Sequence, residues 1–172
     1  IISAGVVVDC VTMGKCCLLQ SDVEALGALA DGIMTQVWGT PSNPYVSQLT
    51  GISCQELDAA YAKDNGGRTM PQPAAYAYAA MELAVHTFQN TASMKKEDIR
   101  AAIAGLNVNT IVGPIQYNKK MRGLNYGSTV LCGGQWQREN GELVLKVIDN
   151  SLYPEIALTG TYQPINATNR EN

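Results

Sequence analysis

An alanine-rich segment behind two prolines constrains the fold of this chain more than any other feature. Pro73 suits the first turn of a helix, because the N–H that proline lacks would be unpaired there. From Pro73 to about Gln89, apolar residues recur at spacings of three and four. This pattern predicts a helix over 73–89 with one buried face, formed by Ala77, Ala80, Met81, Ala84, Val85 and Phe88. The flanking positions are also small or apolar, so we expect the helix to be buried on most sides.

A second helix and three strands are predicted after it. The helix covers 95–106, with Gly105 near its end. Residues 108–117 have the β-branched content of a strand, interrupted by Gly113-Pro114 as at an edge or bulge. Strands over 128–137 and 142–149 are separated by Arg-Glu-Asn-Gly, which indicates a hairpin. The tail from Ser151 is predicted to be an extended surface strap.

The region before the alanine-rich segment has the order of a strand–helix–strand unit. The run 5–14 is continuous and β-branched, which predicts a parallel strand buried on both faces. Ser21 and Glu24 form a capping-box pattern that opens a predicted helix over 22–31, and 33–38 is the next strand. Such a unit implies a right-handed crossover within a parallel sheet.

A second capping-box pattern is formed by Ser53 and Glu56. Ile52 and Leu57 flank it at the positions of a hydrophobic staple. The predicted helix runs to Asn65, before two glycines.

Composition excludes several classes of protein. Of the 172 residues, 46% are hydrophobic and 16% charged, as in globular α/β domains. The net charge is −3 and the 12 Lys and Arg residues are scattered, so we expect no nucleic-acid partner. No apolar run approaches the length that crosses a bilayer.

Sequence words spread over nearly the whole chain carry a family resemblance. In order, they are TMGKCCLL at 12–19, SDVEALGALADGIMTQVW at 21–38, PSNPY at 41–45, PQPAAYAYAAMELA at 71–84, IRAAIAGL at 99–106, GPIQYN at 113–118 and GGQWQ at 133–137. Each word is weak alone, but together and in register they resemble the periplasmic solute-binding proteins of branched-chain amino acid ABC transporters. These are the Leu/Ile/Val-binding-protein-like receptors.

The resemblance implies an α/β, type I periplasmic-binding-protein fold: two Rossmann-like lobes with parallel sheets and a hinge. This chain would hold only the carboxy-terminal portion of both lobes. Residues 1–38 would be a second-lobe segment, 39–125 a first-lobe segment reached through the hinge, and 126–172 the return to the second lobe plus the tail. Crossings between lobes are expected near 38–44 and 123–127. The implied partners are the amino-terminal half of the same receptor and a membrane permease, in the periplasm or outside the cell.

Catalytic and metal-binding patterns are not found in the sequence. The five cysteines form no C-x-x-C pair, and the single His86 lies on the predicted helix 73–89. There is no G-x-S-x-G word and no phosphate-cradling glycine loop. We therefore expect no enzyme activity, metal or cofactor. Cys10 and Cys132 are predicted to be buried in strands, and a structural disulfide is not expected.

The candidate site is for ligand binding, at Lys15, Cys16, Cys17 and Trp38. In open α/β sheets, ligands collect beyond the carboxyl ends of strands, where the loop 14–17 is expected. Relatives carry small or acidic residues there, so Lys15 is a departure that favours a carboxylate. The two thiols suit an apolar or aromatic body. The alternatives are a solvent-facing cation for Lys15 and hinge packing for Trp38.

The resemblance implies a receptor that captures a solute between two lobes. The expected ligand is an amino acid or a small carboxylate, including aromatic ones. The alternative is the ligand-sensing domain of a signalling receptor with the same fold.

Overall fold

The computed structural model describes residues 6–117 and 126–165. Most of the second predicted crossing, near 123–127, lies outside these ranges. The chain divides into two compact units. Unit 1 combines Ile1–Val37 with Leu131–Asn172, and unit 2 is Trp38–Val130. The assignment of the segments to receptor lobes stays a prediction.

The described elements are four helices and six strands, besides a short 3-10 helix at Gly27–Ala30. The helices are α1 Gln20–Glu24, α2 Cys54–Asp64, α3 Gln72–Asn90 and α4 Lys96–Ala104. The strands are β1 Met34–Val37, β2 Asn107–Thr110, β3 Gly113–Tyr117, β4 Gly127–Ser128, β5 Cys132–Glu139 and β6 Glu142–Asp149.

Unit 1 is built on a three-stranded sheet in the order β1-β5-β6, with both pairs antiparallel. The predicted hairpin is confirmed: Glu139 pairs with Glu142, and Asn140 and Gly141 have φ values of 54° and 89° between them. A Cβ on Gly134 would lie 2.4 Å from Cγ2 of Val37, so only glycine fits under that side chain. The tail has no helix or strand up to residue 165, as predicted, but its Ile156 and Ile165 are buried.

The predicted strand over 5–14 is wrong. Within the described part of this segment, residues 6–14, only Thr12 forms a β-bridge, parallel to Met34, and Val6 and Val7 are exposed. A parallel strand buried on both faces needs neighbours on both sides, and among the described residues this segment has a strand partner on one side only. Cys10, predicted to be buried, is exposed.

The helix predicted over 22–31 is also wrong in extent. The α-helix ends at Glu24, and the chain continues as a 3-10 turn from Gly27, whose φ is 59°. Leu19 stands at the N-cap without a side-chain hydrogen bond, so Ser21 lies inside the first turn and forms no capping box. A residue inside the helix cannot cap it, because its own backbone is already helical.

In unit 2, the second capping box is confirmed. The Ser53 side chain accepts from the backbone N–H of Glu56, and the Glu56 carboxylate accepts from the Ser53 backbone N–H at 2.8 Å. Ile52 and Leu57 both pack against the core of this unit. The helix ends at Asp64, before Asn65 and the two glycines. Helices α3 and α4 match their predicted bounds within two residues.

The buried face predicted for α3 is wrong. Met81 is 66% exposed, Phe88 54% and Val85 36%, and Ala77 and Ala80 are exposed too. The helix instead buries a face that includes Ala75, Ala79, Glu82 and His86. Tertiary contacts decide this orientation, because the Glu82 carboxylate accepts the backbone N–H of Ile111 at 2.9 Å.

The segment predicted as one strand over 108–117 is a tight hairpin. β2 and β3 pair antiparallel, with Thr110 opposite Gly113 and only Ile111 and Val112 between them. Both turn residues are fully buried. Their N–H groups are bonded by side chains, Ile111 to Glu82 and Val112 to the Thr110 hydroxyl. These hydrogen bonds and the positive φ of Gly113, 110°, stabilise the turn. The turn therefore forms without the asparagine–glycine pair that is common in two-residue hairpins.

Candidate functional site

The predicted ligand loop, residues 14–17, follows the parallel bridge between Thr12 and Met34 in unit 1. A side chain of β1 fixes the loop by hydrogen bonds. The Thr35 hydroxyl, 3% exposed, donates to the carbonyl of Met13 at 2.9 Å or that of Cys16 at 3.1 Å. Lys15 and Cys17 have φ values of 61° and 58°. Such left-handed conformations are uncommon for residues other than glycine and persist where the surroundings hold them.

The far end of the loop is held by β5. The indole N–H of Trp136 donates to the Cys17 carbonyl at 2.8 Å. Trp136 and Cys17 belong to one buried cluster with Val23, Ala30, Ile33, Leu143 and Ile165. The loop conformation is therefore fixed by hydrogen bonds from a side chain of β1 and from a side chain of β5.

The three predicted loop residues differ in what they offer a ligand. Lys15 and Cys16 are exposed, whereas the Cys17 thiol is 6% exposed and lies 3.6 Å from the Met13 sulfur. Burial raises the pKa of Cys17, and nearby Cys16 and Asp22 raise it further. The Lys15 ammonium and the Cys16 thiol are thus the loop side chains within reach of solvent.

Trp38, the fourth predicted residue, is the first residue of unit 2. Its ring packs on Tyr76, with ring centroids 4.8 Å apart and planes tilted by 46°. Its backbone N–H donates to Oε1 of Gln72 at 2.7 Å. Trp38 is half-buried, so part of it stays accessible. The structure places Lys15, Cys16 and Cys17 together in unit 1, and Trp38 in unit 2.

Unit 2 also contains two cavities that no sequence pattern indicated. One, of about 530 Å³, lies among the end of α3, α4 and β2, with His86, Asn90, Asp98 and Asn107 in its lining. The other is an apolar groove of about 610 Å³ between α2 and α3, lined by Leu57, Tyr61, Met70, Ala74, Tyr78 and Met81 among others.

The cysteines and acidic residues in the described ranges form no metal-binding cluster. Among those residues, no group of three or more His, Cys, Asp or Glu side chains could hold a metal ion. All five cysteines are free. The Cys54 thiol donates to the Ile111 carbonyl, and burial, with smaller contributions from Glu82 and Asp58, raises its pKa to about 11. A thiol with so high a pKa is a poor nucleophile at neutral pH.

Three residues with clear structural roles escaped sequence reasoning. Thr35 holds the loop, Gln72 accepts the Trp38 N–H, and Glu82 closes the β2–β3 turn. Glu82 could have been found, because a polar residue within an alanine-rich helix indicates a side chain with a specific partner. Oε1 of Glu82 and Nε2 of His86 are buried without a hydrogen-bond partner in the described residues. No helix there is long and apolar enough to span a bilayer.

Several solved structures similar to this chain are of solute-binding proteins. A leucine binding protein, LivK, from Thermotoga maritima aligns with 81% of this chain at 16% identity and a TM-score of 0.60. A solute binding protein of an ABC transporter from Rhodopseudomonas palustris, in complex with p-hydroxybenzoic acid, aligns with 95% of this chain at 14% identity and a TM-score of 0.61. A leucine-, isoleucine-, valine-, threonine- and alanine-binding protein from Brucella ovis, in its closed conformation, aligns with 85% at 16% identity and a TM-score of 0.53.

The match covers only part of those proteins. This chain spans 37% of the Thermotoga protein, 40% of the Rhodopseudomonas protein and 39% of the Brucella protein. No protein-family model and no curated protein sequence matches the chain. The likeness in structure, at identities this low, is a likeness of fold. The chain therefore has the α/β, type I periplasmic-binding-protein fold that the resemblance of its short sequence motifs implied. It represents a portion of that fold.

Proposed function

We propose that this protein is part of the extracytoplasmic solute-binding component of an ABC uptake transporter. The observation that carries the proposal is the alignment of 95% of the chain with a solute-binding protein at a TM-score of 0.61. The protein would capture a small solute between two lobes and present the closed form to a membrane permease. Ligand contacts made only in the closed state would favour closure.

The proposed ligand is an amino acid or a small carboxylate, with aromatic carboxylates included. Lys15 is exposed in a loop that Thr35 and Trp136 hold in place. Its ammonium would pair with the ligand carboxylate, and a pairing that excludes water is stronger than one in solvent. The exposed Cys16 thiol and the accessible part of Trp38 would contact the apolar body. Cys17 would contribute through the backbone, since its thiol is packed in the core of unit 1.

The proposed partner of unit 2 is the amino-terminal half of the same receptor, in the same chain or a separate one. The face of α3 formed by Ala77, Ala80, Met81, Val85 and Phe88 is exposed and apolar, and the groove between α2 and α3 adjoins it at Met81. An apolar patch of this kind marks a surface that another part of a protein covers.

A thermal-shift screen tests the ligand proposal. The complete receptor would be heated with amino acids and with aliphatic and aromatic carboxylates, since a ligand that binds only the folded state raises the melting temperature. We expect one chemical class to stabilise the protein. Lys15→Met should abolish most of that shift, whereas Lys63→Met, which removes an exposed lysine on α2, should leave it intact. A flat screen, with native mass spectrometry also showing no retained small molecule, would contradict the proposal and favour a sensor or another interaction module.

Methionine oxidation tests the partner proposal. Met81 and Met94 are similarly exposed in this chain, at 66% and 72%. If the other half of the receptor covers α3, peroxide should oxidise Met81 much more slowly than Met94 in the complete receptor. Equal oxidation rates for the two methionines would show that nothing covers this face.

A further inference from the structure

The chain enters and leaves unit 2 at two connections, and one tyrosine of α3 binds both. The first connection begins at Trp38, whose ring packs on the ring of Tyr76. The second ends at Val130. The Tyr76 hydroxyl lies 2.6 Å from Oγ1 of Thr129 and 3.3 Å from the Val130 carbonyl. Because the hydroxyl has one proton, these contacts are satisfied together when Tyr76 donates to Val130 and accepts from Thr129.

The first turn of α3 reinforces the same arrangement. Gln72, 5% exposed, accepts the Trp38 N–H at 2.7 Å one turn before Tyr76. Gly39, which follows Trp38 in the chain, lies so close to α3 that a Cβ on it would be 2.9 Å from Cβ of Ala75. The first connection is therefore fixed to α3 by a hydrogen bond, a ring contact and close backbone packing.

We propose that Tyr76 is a positioning residue that couples the two connections of unit 2, so that displacement of one is transmitted to the other. This inference rests on the proposed function in one respect: in a two-lobed receptor, these connections must absorb the dihedral changes of opening and closing. Coupling them through one side chain would make them move together. Tyr76 would thus set how far Trp38 can move when the ligand site closes.

The helix supplies a matched control. Tyr78 is two residues further along α3, and its hydroxyl lies 3.0 Å from Oγ1 of Thr50. Both tyrosines thus pair with a threonine hydroxyl, but Thr50 is away from either connection in sequence. Tyr76→Phe and Tyr78→Phe each remove one hydroxyl and keep the ring. Thr129→Val and Thr50→Val remove the partner hydroxyls in the same way.

Amide hydrogen exchange of the full-length protein tests the coupling. Loss of a hydrogen bond weakens local protection, and we expect Tyr76→Phe to speed exchange of the Trp38 amide about fivefold or more relative to Tyr78→Phe. The decisive variant is Thr129→Val. It alters only the second connection, yet coupling requires faster exchange at Trp38, which Thr50→Val should not cause.

Two results would overturn the proposal. In the first, Thr129→Val leaves the Trp38 amide unchanged, which would mean that the connections are independent. In the second, Tyr76→Phe speeds exchange at Trp38 and at the α3 core residue Ala79 by the same factor, which would mean general destabilisation. Neither measurement needs a ligand. A flat ligand screen would therefore contradict the proposed function without changing the outcome of the exchange experiment.

Discussion

Each of the two units is stabilised by its own internal contacts, and the sequence separation of these contacts differs between the units. In unit 1, side-chain hydrogen bonds join residues more than a hundred positions apart: Trp136 to Cys17, Gln135 to Gly32 and Tyr162 to Asp9. Unit 2 is one continuous segment in which α2, α3 and α4 supply most of the regular structure. Its side-chain hydrogen bonds span shorter separations, for example three positions in the capping box at Ser53 and 61 positions between Asn109 and Gln48.

The difference shows where each unit is vulnerable. Unit 1 is organised around β5, whose Gln135 and Gln137 side chains are buried and hydrogen-bonded. Gln135 donates to the Gly32 and Gln163 carbonyls, and Gln137 donates to Gln135 and to the Thr161 carbonyl. A buried network of this kind stabilises one arrangement, because any unpaired member carries a desolvation cost. Unit 2 should tolerate the loss of one local contact better than unit 1 tolerates the loss of a long-range one.

The largest effect is expected from Trp136→Ala in unit 1. This change removes a side chain that is 5% exposed and its hydrogen bond to the Cys17 carbonyl. We expect a loss of about 3–5 kcal/mol in the free energy of unfolding. Trp136→Phe keeps most of the volume and should cost less, so the pair separates packing from the hydrogen bond. Denaturant unfolding measures both, and equal, small losses would contradict the central role of β5.

Glu82→Ala should give the largest effect in unit 2. It leaves the buried Ile111 N–H without its acceptor, which costs about 1–3 kcal/mol before the cavity is counted. Glu82→Gln keeps an amide oxygen for that N–H and removes a buried carboxylate, so it should be much better tolerated. The measurement is again denaturant unfolding. If the glutamine variant loses as much stability as the alanine variant, the hydrogen bond to the turn is not the reason for Glu82.

The two S-x-x-E patterns provide a direct comparison between the units. Ser53→Ala removes a true N-cap in unit 2 and should cost about 1 kcal/mol. Ser21→Ala changes an exposed residue inside α1 that makes no cap, and should fall within about 0.5 kcal/mol of wild type. Thermal unfolding of the two variants tests this, and a reversed order would show that the capping assignment is wrong.

The smallest effect expected is a pH dependence at the same cap. Hydrogen bonds from the backbone and side chain of Ser53 hold the pKa of Glu56 below its ordinary value of 4.5. Because the folded-state pKa is the lower one, the stabilisation is complete above about pH 4.5 and is lost as the pH falls through the depressed value. Glu56→Gln should remove this part of the pH dependence. The control is Glu142→Gln, in an exposed residue at the start of β6.

Much of the fold could be predicted because the signals are local. Pro71 and Pro73 mark the start of α3, Ser53 caps α2, and Asn140-Gly141 turns the β5–β6 hairpin. The turn at Ile111-Val112 could not be predicted, since the hydrogen bond that closes it comes from Glu82, 29 positions earlier. The candidate loop was located from the sequence, but its supports, Thr35 and Trp136, come from strands in other parts of the chain.

The sequence by itself determined where helices and hairpins with their own caps and turn residues lie. It also carried the family resemblance, through a set of short motifs in register, although identity to the similar solved structures is only 14–16%. Only the tertiary structure decided which face of α3 is buried, that Val6 and Val7 lie outside a sheet, and that Cys17 turns into the core while Lys15 faces solvent. The physical reason is that periodicity identifies an apolar surface without naming its partner. Burial depends on residues distant in the chain. The hydrogen bond from the Ile111 N–H to the Glu82 carboxylate, for example, requires the Glu82 face of α3 to point into the core of unit 2.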